Sequence, residues 1–73
     1  MTMSLADFIS ELEQKNAKTR SELEPYETGK TRHFTREGDG PMSDITDQII
    51  HDHRQAIAIN DAIIRFLKKQ RQG

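Results

Sequence analysis

The 73 residues contain no cysteine and no tryptophan, and only one tyrosine, three phenylalanines and two prolines. Without cysteine there is neither a disulfide nor a thiolate metal site to staple a small fold, and the composition points to a reducing, cytoplasmic setting. No apolar run approaches the ~18 residues that a membrane span requires. The opening MTMSLADF has neither the basic nor the apolar region of a signal peptide, so a membrane partner is not expected. Valine is also missing, and Leu, Ile and Phe together number 15. That is close to the level of about 20% at which charged chains stop folding, but a net charge of −1 leaves little self-repulsion to oppose order.

The apolar residues are concentrated in two stretches. Leu5, Phe8, Ile9 and Leu12 repeat at i, i+3, i+4, i+7 behind Ser4, whose hydroxyl suits an N-cap with Asp7 three residues on. The same face continues through Asn16, Thr19 and Leu23. Pro25 disfavours helical geometry at Glu24, which predicts a first helix over residues 4–24. A second helix is predicted over 43–71, with Ser43 as N-cap, Asp44 and Asp47 near the positive end of its dipole, and Arg65, Lys68, Lys69 and Arg71 at the negative end. Its main stripe comprises Ile45, Ile49, Ile50, Ala56, Ile57, Ile63, Ile64 and Leu67, interrupted by His53 and Asn60. A second apolar line, Ile59, Ala62 and Phe66, runs along a different side.

Folded back on each other, the two stripes match. Leu5, Phe8, Ile9 and Leu12 meet Ile57, Ile63, Ile64 and Leu67, and polar Asn16 falls near His53. The sequence thus predicts one all-α domain, residues 1–73, built as an antiparallel helical hairpin with a long loop over 25–42. One contact line is little core for so small a chain, so Ile59, Ala62 and Phe66 are expected to pair two hairpins into a homodimeric four-helix bundle. His53 and Asn60 are expected as a polar pair within the core that fixes register.

The connecting segment reads GKTRHFTREGDGP. Its first three residues end like a phosphate-binding loop, but that loop needs glycine five positions before Gly29, where Glu24 stands, and a helix directly afterwards. Nucleotide binding is therefore not expected. Asp39, Asp44 and Asp47 lack the alternating spacing of a calcium loop. The segment suits a connector, with a short extended stretch from Lys30 to Arg36 as an alternative. Lys30, Arg32, His33, Phe34 and Arg36, cations around one aromatic, form the candidate recognition loop.

Other chemistry is sparse. His51 and His53 are two apart and point about 160° from each other on a helix, and Asp47 with His51 supplies only two ligands. No Ser-His-acid arrangement is recognisable, and carboxylates two apart, Glu11 with Glu13 or Glu22 with Glu24, read as solvated faces. No catalytic, cofactor-binding or metal residues are assigned, and an enzyme is not expected. The favoured function is a small protein-interaction module, a regulator or inhibitor of a larger protein, acting as a homodimer. One alternative is a nucleic-acid-binding regulator using the loop and the basic C-terminal tip, although the electrostatics of such binding ask for more net positive charge. Another is an inhibitor encoded by a phage or mobile element.

Overall fold

A computed structural model describes residues 3–72. Helix α1, Leu5–Glu27, is followed by strands β1, Phe34–Thr35, and β2, Ser43–Asp44, and then by helix α2, Thr46–Gln72. The two helices pack against each other, and the strands pair antiparallel with Phe34 opposite Asp44 and Thr35 opposite Ser43. The protein is thus a mostly helical hairpin whose connector is a small β arm, and the all-α expectation is corrected to that extent.

Helix α1 starts as its sequence dictates, with the Asp7 N–H donating to Ser4 Oγ at 3.1 Å. It does not stop at Glu24. Pro25 lies inside the last turn, where its missing N–H leaves only the carbonyl of solvent-exposed Ser21 without an intrahelical donor. The turn is closed instead by Thr28, whose N–H donates to the Glu24 carbonyl at 3.0 Å, as does its hydroxyl. Gly29 then takes φ +78°, a left-handed conformation, and donates its N–H to the Tyr26 carbonyl. The glycine that suggested a phosphate loop is the C-terminal stop of α1.

Helix α2 begins two residues later than an N-cap at Ser43 predicts. Ser43 and Asp44 belong to β2, and Ile45 accepts the first helical bond, from the Ile49 N–H. Ile45 has no polar side chain to cap with, so the Asp44 carboxylate does so from one position upstream, accepting the Thr46 N–H at 3.0 Å. Between the strands the chain turns at Glu37–Gly40, where the Gly40 N–H donates to the Glu37 carbonyl and Gly38 supplies φ +55°.

The buried apolar cluster is small: Ile9 and Leu12 of α1 meet Ile64 of α2, with Leu67 against them and Leu23 buried further along α1. Leu5, Phe8 and Ile63, expected in this stripe, remain exposed. The molecule measures 55 × 26 × 17 Å and has a radius of gyration of 16.8 Å, against the roughly 11 Å of a compact chain of this length. Helix α2 is about 40 Å long at 1.5 Å per residue, most of the long axis of the molecule.

Candidate functional site

The β arm is anchored to α2 through Thr46, which is fully buried. Its hydroxyl accepts the His33 N–H at 2.8 Å and donates to Asp44 Oδ1 at 2.6 Å, while the Ile45 N–H donates to the His33 carbonyl at 2.9 Å. The other Asp44 oxygen accepts from Arg32, with Nε at 2.7 Å. Hydrogen bonds from the Thr46 hydroxyl and amide, followed by the Arg32 guanidinium, hold the Asp44 carboxyl well below the usual range, at about 2.

These contacts divide the candidate recognition loop. Arg32 and the His33 backbone belong to the anchor, whereas Lys30, Phe34 and Arg36 are exposed, Phe34 by 49%. Phe34 stands across from Asp44 in the strand pair, and the Asp44 carboxylate is the one that Arg32 holds. Met42 is also exposed. The arm therefore exposes an aromatic, a thioether and a cation beside an anchor of directed hydrogen bonds.

A second polar knot joins the helices. Asn16, only 1% exposed, donates through Nδ2 to Asp61 Oδ1 at 2.8 Å and more distantly to the Ile57 carbonyl, and its Oδ1 accepts from Asn60 Nδ2 at 3.1 Å. Asn60 is thus the polar group that meets Asn16. His53 is a turn and more away, half-buried, with Nδ1 at 2.9 Å from the Ile49 carbonyl of its own helix.

The two sides of the hairpin are unlike. One carries three inter-helix ion pairs, Glu13 with Lys68, Arg20 with Asp61 and Glu27 with Arg54. Counting about 100° per residue, Phe8 lies some 120–140° round α1 from Glu13 and Arg20, and Ile59, Ile63 and Phe66 lie some 120–180° round α2 from Arg54, Asp61 and Lys68. All four are exposed, Ile59 and Phe66 by 58% and 60%. The candidate interface residues Ile59, Ala62 and Phe66 share this exposed sector of α2, and Phe8 and Ile63 extend it. The helical stripe alone assigned those two to the core; the ion pairs on the opposite flank are the signal that places them outside.

The Glu13–Arg20–Asp61–Lys68 side also forms an open cleft of about 290 Å³ with Asn16 at its floor. Its carboxylates are each committed to a cation across the helices. Among the described residues no three His, Asp or Glu side chains group as metal ligands, and no helix is long and apolar enough to cross a membrane. Of the basic tip, Arg71 lies outside the residues whose side chains are described. Searches of family models, curated proteins and solved structures find no match to this chain.

Proposed function

We propose that the chain is a non-enzymatic protein-interaction module of the cytoplasm, a helical hairpin that works as a homodimer and uses its β arm to regulate or inhibit a larger protein. The observation that carries the reading is the exposed apolar sector of Phe8, Ile59, Ile63 and Phe66, opposite a side closed by ion pairs. Single exposed apolar residues are ordinary on protein surfaces, but an aligned group on one flank of a thin molecule marks an interaction surface.

The areas agree. The chain exposes 5746 Å², whereas a compact monomer of its mass exposes roughly 4,600 Å². The excess, about 1,100 Å², is comparable to the roughly 800 Å² that each partner buries in a stable interface. Two such hairpins joined on their apolar sectors make a four-helix layer with a shared core. Nucleic acid is the weaker alternative, because Arg20, Arg32, Arg54 and Lys68 are already paired with carboxylates.

The test is the mass in solution. Light scattering at micromolar concentration is expected to give two chains for the parent protein and one for Phe66→Glu, since a carboxylate in that contact would be desolvated without a partner. Lys18→Glu, on the outer face of α1, should keep the dimer. A parent mass of one chain with full helicity overturns the dimer.

A further inference from the structure

The apolar sector does not run the length of the hairpin. On α2 it starts at Ile59 and ends at Phe66, and on α1 it holds Phe8, so it occupies the end of the molecule far from the β arm. Nearer the arm, the outward residues of α2 are Gln48, Asp52 and Gln55, all exposed. From this placement we infer that the second copy docks antiparallel and offset, with the two-fold axis passing near Ile63, so that the dimer holds its two β arms at opposite ends as a bivalent connector. The inference rests on the homodimer reading and specifies its geometry.

Three considerations select this arrangement over a parallel one. A two-fold axis along the helices would press Gln48, Asp52 and Gln55 against their own copies, burying polar groups and setting like charge beside like charge. It would also bring two basic tips, Arg65 and Lys69 of each chain, side by side at helix C-termini that point the same way. An axis across the helices near Ile63 avoids both, because the two helices then overlap over residues 54–72 alone, which leaves Gln48 and Asp52 outside the contact and sets the basic tips apart. In that register Phe66 of each copy stands level with the Ile59–Ala62 segment of the other. Ala58 and Ala62 leave room there for a ring, as small residues do where helices approach closely.

The distances follow from the helix rise. Ile63 is 17 residues from the start of α2, about 26 Å, and the arm lies beyond that start, so the two arms stand more than about 50 Å apart. Each arm then offers Phe34, Arg36 and Met42 to a separate site, and two sites on one assembly, or two copies of a target, can be engaged together with the gain in avidity that linkage gives.

Because the chain has no cysteine, Gln48→Cys provides one spin-label site per copy, on the outward part of α2 away from the apolar sector. Pulsed dipolar spectroscopy on that variant, its mass checked by light scattering, should give a label separation of about 45 Å, twice the 15-residue rise to the axis. Small-angle scattering of the unlabelled protein should give a maximum dimension well beyond the 55 Å of one chain. A two-chain mass with a separation under about 25 Å overturns the antiparallel placement and leaves the dimer standing. A one-chain mass with no dipolar signal overturns the dimer itself.

Discussion

Around Ile64 the two helices meet through side chains that share only dispersion and the exclusion of water, Ile9 and Leu12 on one helix and Leu67 on the other. Around Thr46, at the opposite end, order comes from directed bonds: two to Asp44 and one from the His33 amide, with Arg32 holding Asp44 from the far side. The apolar end is forgiving in geometry but short of area, and it leaves part of its greasy surface uncovered. The polar end is self-sufficient, with every buried side-chain donor and acceptor among the described residues partnered. One small chain thus has an end whose apolar surface is partly uncovered and an end whose buried polar groups are partnered.

The largest expected effect lies at the apolar end. Ile64→Ala removes the α2 member of the buried cluster, a change that costs about 2–5 kcal/mol in well-packed sites, against a total stability of a few kcal/mol for a chain this small. Far-UV circular dichroism at micromolar concentration should show most of the helical signal lost at 25 °C. If the melting temperature barely moves, the cluster is not what holds the helices together.

A smaller and more local effect is expected from Thr46→Val, which keeps the volume and deletes the hydroxyl. The His33 amide loses its acceptor and Asp44 loses one of its donors, at a cost of about 1–3 kcal/mol for the orphaned amide, or several degrees in melting temperature. Hydrogen exchange should become fast at His33 while amides around Ile64 stay protected. Equal loss of protection at both ends would mean that the ends are one cooperative unit and the contrast drawn above is false.

The smallest effect is that of pH. The Asp44 carboxyl is lowered to about 2 in the folded chain, so its ionised form favours the anchored arm. That contribution is fully present above the ordinary carboxylate value near ~4 and is lost as pH falls towards 2. Carbon-detected titration of the Asp44 carboxyl should show a midpoint near 2 in the parent and a higher one in Thr46→Val. A parent midpoint in the ordinary range would show that the arm is not anchored through this carboxylate.

Much of the helical part was legible in the residues. The Ser4 cap, the stripe of Ile9 and Leu12 and the reversal that sets them against Ile64 and Leu67 all follow from spacing and capping chemistry, which are local. The connector was less legible because its decisive contacts are between residues about a dozen apart. Ser43 has good N-cap chemistry, yet strand pairing with Thr35 claims it, and the capping falls to Asp44. Arg32 reads as a free recognition cation until Asp44 is seen beside it. Asn16 is legible as a polar break in an apolar face, but whether His53 or Asn60 meets it depends on an inter-helix register that two short stripes do not specify.

The order of the cross-chain contacts also has a kinetic meaning. Moving from the arm to the open end, the bonded partners are 12 and 13 residues apart at Arg32–Asp44 and His33–Thr46, 27 at Arg54–Glu27, 41 at Arg20–Asp61 and 55 at Lys68–Glu13. Each contact, once made, brings the next pair close, so the chain can close like a zipper from the arm instead of paying at once for a loop of some fifty residues. In that sequence the Thr46 anchor is the nucleus and the Ile64 cluster the last link. Thr46→Val is therefore expected to slow refolding in a stopped-flow chevron, and Ile64→Val to hasten unfolding instead. The last stretch to zip is the one where a second copy would dock, so association would hold shut the part of the molecule that opens first.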